Sequence, residues 1–339
     1  MFSRVILFSV GLLLSPALFA APQHALTVYG EAPKYAPDFQ HLAYANPDAP
    51  KGGTLRRSSL ESGPFDHLIP YIDKGTGVAD IDGWLYAPLA YRSKDEPYSV
   101  YGLVAQRMEL DADRRWLRFY LNPKAQFEDG TPITAEDVRY TFELFTTQGS
   151  LKYRQQFRDV AEVQVESPTQ VRFVFKNNES RTLPLDLATL PVLPEHWWRT
   201  RNFADGAGFE IPPGSGPYKV SAVDAGRSVK FQRIKDWWAR DLPITRGLYN
   251  FDQLSVEFFA DTDVSRQVLK AGGFDYNREF SATSYTIGYA GAALEQGKLL
   301  REHLAPGAAQ GAQGFVFNLQ KPMFQDRRVR QAIAMLWDF

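Results

Sequence analysis

Cysteine is absent from the 339 residues. That excludes disulfides, thiolate nucleophiles, thiolate metal sites and lipid attachment through an N-terminal cysteine. Histidine is scarce: His24, His41, His67, His196 and His303 stand apart, and no HExxH pair exists to hold zinc on one helix face. No GxSxG nucleophile elbow occurs. Neither sign of charge is in excess. Lys and Arg number 38 against 39 Asp and Glu, so nothing argues for nucleic acid as a partner. Long apolar runs are also lacking. The one at the start is shorter than the ~20 residues that cross a bilayer, and Pro16 interrupts it.

That opening run has another reading. Arg4 supplies a positive start, residues 5–14 are apolar apart from Ser9 and Gly11, and Ala20 offers a small residue for cleavage. Residues 1–20 are therefore expected to be an export signal cut near Ala20/Ala21. The mature chain is expected to be a soluble periplasmic monomer without a lipid anchor.

What the sequence does contain is aromatic residues, 14% of the chain, which suit both cores and binding clefts. Residues 22–53 read as an irregular arm leading to a strand over 54–60. Leu117, Phe119 and Leu121 alternate with Trp116, Arg118 and Tyr120, the period of a strand. Thr134 stands three residues before Asp137, a capping-box spacing, and Val138, Thr141, Phe142 and Phe145 follow at helical intervals. Hairpins are expected about Ser167-Pro168-Thr169 and about 224–227. Residues 183–194 read as a packed connection. A strand is expected over 254–259, and a helix over 264–270 that stops at Gly272-Gly273. A further strand is expected over 315–319 and a helix over 326–337.

Catalytic constellations are not evident. Asp111/Asp113, Glu128/Asp129 and Glu136/Asp137 are carboxylate pairs of the kind glycosidases use. Each lies in a turn or a first helical turn, where acids favour local N–H groups. Gly214-Ser215-Gly216-Pro217 lacks the later glycine of a phosphate loop, and Pro217 removes a donor; it reads as a turn into a strand. No cofactor and no metal site is implied.

The stretch from Gly102-Leu103-Val104-Ala105 through Phe119-Tyr120-Leu121 to Phe127-Glu128-Asp129-Gly130-Thr131-Pro132-Ile133-Thr134-Ala135-Glu136-Asp137-Val138 resembles the signature of the oligopeptide- and dipeptide-binding proteins of bacterial ABC importers, solute-binding family 5. Gly214-Ser215-Gly216-Pro217-Tyr218, Lys235-Asp236-Trp237-Trp238, and Phe317-Asn318-Leu319 with Pro322, Phe324, Asp326, Arg328, Val329, Arg330 and Ala332 agree in the same order. Ala49-Pro50-Lys51-Gly52-Gly53, Phe65-Asp66, Asp95-Glu96-Pro97 and Gly273-Phe274-Asp275 with Arg278-Glu279 resemble the YejA-like branch of that family.

The resemblance implies an α/β fold of the periplasmic-binding-protein type II class, with two lobes joined by a hinge. Residues 21–63 and 210–310 then form the core of the first lobe, and 64–209 an inserted subdomain. Residues 311–339 begin the second lobe, which is where this chain stops, so it is expected to be the front part of a longer receptor. The implied ligand is a peptide or peptide-like compound, such as a peptidoglycan fragment or a microcin C-like antibiotic. The implied partners are an inner-membrane ABC permease and its ATPase subunits. By the same resemblance Phe65, Asp66, Tyr276, Asn277, Arg278 and Glu279 approach the ligand. Core packing competes as a reading of Phe65, and a salt bridge to Arg278 as a reading of Glu279. A periplasmic hydrolase of cell-wall fragments and a non-transport sensor remain as alternatives.

Overall fold

A computed structural model describes residues 21–59, 63–303 and 314–336. Residues 1–20, expected to be an export signal, and Trp337 lie outside the described residues. In chain order the elements are β1 (Ala25–Thr27), β2 (Thr54–Ser58), β3 (Ala90–Arg92), β4 (Ser99–Gly102), β5 (Ala105–Leu110), β6 (Trp116–Leu121), α1 (Ala135–Thr147), α2 (Leu151–Gln156), β7 (Val160–Ser167), β8 (Gln170–Phe175), α3 (Leu183–Ala188), α4 (Glu195–Trp198), β9 (Tyr218–Asp224), β10 (Ser228–Arg233), β11 (Gln253–Glu257), α5 (Thr262–Lys270), α6 (Ala292–Glu295), α7 (Pro322–Gln325) and α8 (Arg327–Met335).

Three sheets result, in the orders β1-β4-β3, β2-β11-β10-β9 and β5-β6-β8-β7. The second is mixed: β9, β10 and β11 form an antiparallel meander, and β2 joins β11 in parallel, with Leu55 opposite Leu254. It alternates on one face apart from a bulge in the β9–β10 pairing, where Ser221 and Ala222 are both exposed. Tyr218, Val220, Val229, Phe231, Leu254 and Val256 are buried, while Lys219, Ser221, Lys230, Gln232 and Gln253 face outward. Such a sheet is packed on one side and solvated on the other. Each fully buried large apolar side chain contributes about 1.5–3 kcal/mol.

The β5-β6-β8-β7 sheet is covered by α1. Phe119, Phe142 and Phe173 make edge-to-face contacts at 5.5–5.8 Å beneath it. On the opposite face Arg118 grips Glu166 with two hydrogen bonds of 2.6 and 3.0 Å, reaches Glu109 at 2.9 Å, and stacks on Trp116. This Arg-centred network holds the Glu166 carboxyl below its ordinary range.

The capping box forms. Thr134 N donates to Asp137 Oδ2 at 2.8 Å, and Asp137 N donates to Thr134 Oγ1. The same carboxylate accepts Glu195 N at 3.0 Å, and Thr141 Oγ1 accepts Leu193 N at 2.9 Å. The first turns of α1 therefore also hold the chain that leads into α4.

Several expectations need correction. Residues 315–319 take no strand conformation; among the described residues no strand lies beside them to complete a ladder, and an unpaired strand leaves its backbone groups unmet. The 22–53 arm contains β1, three residues held against β4, too short to show alternation. The connection over 183–194 contains α3, whose Pro184 sits in its first turn, where the missing N–H costs nothing. Helix α8 starts at Arg327, with Asp326 as its cap accepting from Arg328 N at 2.8 Å.

Replacing Asp137 by alanine is expected to cost about 2 kcal/mol or more, because it removes a cap and strands the Glu195 N–H. Glu136→Ala, one residue away and exposed, is expected to stay within about 0.5 kcal/mol. Urea unfolding midpoints of the two variants check the contrast.

Candidate ligand-binding site

Strands β2 and β11 are parallel, so their carboxyl ends emerge together. In open α/β sheets ligands sit beyond such ends. The ladder persists one step past β2, where Ser59 N donates to Glu257 O at 2.7 Å, and Gly63 N reaches Phe259 O at 2.9 Å. The chain then turns into Phe65 and Asp66.

Phe65 is 3% exposed, its ring 4.5 Å from that of Phe258 and 5.8 Å from that of Phe209. The structure thus uses its ring for packing rather than presenting it to a ligand. Asp66 stays largely exposed and organises its own loop: its Oδ1 accepts Thr76 N at 2.9 Å, while Asp66 N donates to Thr76 O. Gly75 lies beneath it with φ +72°, and a Cβ there would meet Asp66 Oδ1 at 2.4 Å. The positive φ favours glycine there, and a side chain would also displace the Asp66 carboxylate.

The other four expected residues come from the segment after α5. Gly272 at φ +82° ends that helix and turns the chain back alongside β2. Asp275 N donates to Arg56 O at 2.9 Å, and Tyr276 bridges Arg57 in parallel. Asp275 accepts from Arg56 N at 2.8 Å and from its guanidinium at 2.8 and 3.1 Å. Arg56 accordingly holds the Asp275 carboxyl below the usual range.

Exposure then alternates along the segment. Tyr276, Arg278 and Phe280 are exposed, whereas Asn277 and Glu279 turn inward. Asn277 Oδ1 accepts Ser58 Oγ at 2.8 Å, and its Nδ2 donates to Tyr289 Oη at 2.9 Å. Tyr289 Oη donates to Glu279 Oε2 at 2.9 Å, and Arg266 Nε lies 3.6 Å from that oxygen. Burial, and then the Glu279 carboxylate, push the Tyr289 phenol up. The cationic partner of Glu279 is thus Arg266 and not Arg278. Arg278 instead lies over the Phe280 ring, 4.8 Å from its centroid.

Tyr276, Asn277, Arg278 and Glu279 therefore form one unit, and Asp66 belongs to the separate loop beyond β2. Ser58, Arg266 and Tyr289, which hold the unit in place, were not anticipated from the sequence. Their partners lie 10 to 219 residues away, and no local pattern marks them.

The signature motifs do a different job. Ser215 N and Gly216 N both donate to Leu85 O at 2.8 Å, and Gly214 O accepts Glu128 N at 2.7 Å. Ser215 O accepts the indole N–H groups of Trp237 and Trp238, at 2.7 and 3.0 Å. The amides that a phosphate loop would offer are already committed here. At least one carboxylate of each acidic pair is engaged as well. Asp129 accepts Thr131 N and meets His196, Asp111 accepts Arg115 N, and Glu136 pairs with Arg139. An open hollow of about 450 Å³ lies near Tyr44, Leu55, Trp84, Tyr249 and Leu254. It adjoins the amino ends of β2 and β11, the wrong end of the sheet for the site described above.

This fold, with its crossing segment beside a parallel strand pair, is that of the α/β periplasmic binding proteins. The sequence profile of the bacterial extracellular solute-binding proteins, family 5 (middle), matches residues 99–339, and the chain belongs to that family. It is 37% identical to the uncharacterized protein YejA of Escherichia coli K12, over 93% of this chain and 51% of that protein. It is 36% identical to a putative binding protein of Brucella melitensis, over 94% of this chain and 53% of that one. Its identity to the peptidoglycan-binding protein YepA of Agrobacterium fabrum is 33%, over 98% and 56%. The chain thus spans about half the length of the curated relatives it matches. Among solved structures the oligopeptide-binding protein AppA of Bacillus subtilis, in complex with a nonapeptide, is similar with a TM-score of 0.58. Its identity is 20%, covering 70% of this chain and 46% of that one. The substrate-binding protein CtaP of Listeria monocytogenes has a TM-score of 0.53 at 22% identity, over 66% and 44%.

Two outcomes are expected from this geometry. Tyr289→Phe removes the phenol between Asn277 and Glu279, and is expected to speed amide exchange over residues 275–281 by about ten-fold while global unfolding shifts little. The Asp275 link behaves as a lowered-pKa carboxylate. Its contribution is present above about pH 4, the ordinary carboxylate range, and is lost as pH falls through the lowered value. Asp275→Asn is therefore expected to reduce stability at neutral pH and to flatten part of the acid-side loss, by less than about 1 kcal/mol for so exposed a pair. Scanning calorimetry between pH 3 and 7 measures both effects.

Proposed function

We propose that this chain is the front part of a periplasmic receptor that binds peptides or peptide-like compounds and delivers them to an inner-membrane ABC permease with its ATPase subunits. The observation that carries this reading is family membership, together with a crossing segment pinned beside the carboxyl end of β2. In this reading residues 1–20 are a cleaved export signal. Residues 21–63 and 210–310 make the core of a first lobe, 64–209 an inserted subdomain, and 311–339 the start of a second lobe. Asp66, Tyr276 and Arg278 face the ligand, while Asn277 and Glu279 position the segment that carries them. The protein works as a monomer, needs no cofactor, and binds without turning its ligand over. Engagement of at least one carboxylate in each acidic pair supports the last point.

An extended peptide gains affinity from backbone hydrogen bonds without the receptor reading every side chain. A micromolar ligand requires about −8 kcal/mol net. A peptidoglycan-derived peptide is the cargo this reading favours, since YepA, a relative covering nearly the whole chain, is described as peptidoglycan-binding.

Native mass spectrometry of the protein purified from the periplasm tests the reading. The expected result is a chain starting near Ala21 that carries a peptide-sized adduct lost on denaturation. Added tripeptides to pentapeptides are expected to raise the melting temperature, with about 2.7 kcal/mol of stabilisation at a hundred times Kd. Hydrolysis of those peptides during the incubation, or no response to any of them beside a response to free sugars, would replace peptide binding with another role.

A further inference from the structure

We propose that Arg278 makes the site selective for ligands that carry a carboxylate, with the rings of Tyr276 and Phe280 flanking that charge; this rests on the reading of the site as a peptide cleft. The argument starts from the burial alternation. Every second side chain from 276 to 280 is exposed, so Tyr276, Arg278 and Phe280 share one face. Tyr276 is 46% and Phe280 67% exposed, so both rings are open to a ligand.

The charge balance of the segment points the same way. It holds two carboxylates near Arg278, and both are engaged elsewhere. Asp275 is taken by Arg56 through backbone and guanidinium together. Glu279 is turned inward to Tyr289, to Arg266 and to Ser281 N. Arg278 is left with no carboxylate partner among the described residues, and its contact is the face of Phe280.

A guanidinium lying on an aromatic ring keeps its edge donors free, and that planar fork matches a carboxylate in two-point fashion. Residues two apart in an extended chain are spaced by about 6.6 Å, which is also the interval between like-facing side chains of an extended peptide. The Tyr–Arg–Phe row therefore fits a ligand with one acidic group between two apolar or ring-bearing positions. The acid is either a side chain or the free carboxyl terminus.

The test uses protein expressed from its complete gene and an equimolar pool of random tetrapeptides, each present as free acid and as carboxyl-terminal amide. Peptides retained through gel filtration are identified by mass spectrometry. Wild-type protein is expected to enrich Asp- and Glu-containing peptides, or free acids, by about ten-fold over neutral amides, the worth of one charge-assisted contact. Enrichment confined to free acids assigns the terminal carboxylate; enrichment of acidic amides as well assigns the side chain. Arg278→Gln is expected to erase the preference for acidic over neutral peptides among those still retained, and Arg278→Lys to keep part of it; equal melting temperatures of the ligand-free proteins check that the fold is intact. A preference that survives in Arg278→Gln, or a wild type without one, overturns this proposal and leaves peptide binding standing. Recovery of no peptide by the wild type defeats the cleft reading and the proposal together.

Discussion

The parallel pairing of β2 with β11 is the constraint on which the architecture turns. It joins residues about two hundred positions apart, with Thr54 opposite Gln253 and Ser58 opposite Glu257. Closing so long a loop costs entropy that local contacts do not return. The cost is offset by burying Leu254, Val256, Phe231 and Val229 on one face, and by further cross-links such as Lys51 to Leu248 O and Gly52 N to Asn250 O. Parallel alignment also decides where the proposed ligand site lies, because it puts both carboxyl ends on one side. Only with β2 in that place does the segment after α5 find Arg56, Arg57 and Ser58 beside it.

The best-marked motifs turn out to be scaffolding. Ser215 O collects two indole donors, and the backbone around it is locked to Leu85 and Glu128. Gly214 and Gly216 run so close to Leu85 and Trp84 that a Cβ on either would lie 2.2–2.5 Å from a carbonyl oxygen. These residues resemble the family because the fold needs them there. The crossing segment follows the opposite logic: its inward residues are bonded throughout, and its outward residues are left open. A surface whose inward residues are held by side-chain hydrogen bonds is kept in place without being buried.

Much of the fold was legible from local pattern. The strand over Trp116–Leu121, the capping box at Thr134, the hairpins at 167–169 and 224–227, and the helix ending at Gly272 each carry their signal within a dozen residues. What was illegible was short or dependent on distant partners. Three-residue β1 exists because β4 is beside it. Residues 315–319, apolar enough to read as a strand, have no such neighbour among the described residues. At the site, the sequence pointed to residues 276–279 by resemblance but could not say which faced inward. It proposed Arg278 for Glu279, and the structure supplies Arg266 from α5 instead.

The sequence by itself determined the α/β class, the family, the caps and turns, and the absence of thiol chemistry, since all of these are written in residue type and short-range spacing. Tertiary structure alone decided that Phe65 packs against Phe258, that Asp275 and Glu279 are neutralised by Arg56 and Arg266, and that Arg278 is left facing outward. Those outcomes depend on which backbones lie side by side after loops of up to two hundred residues have closed, and no local spacing encodes that.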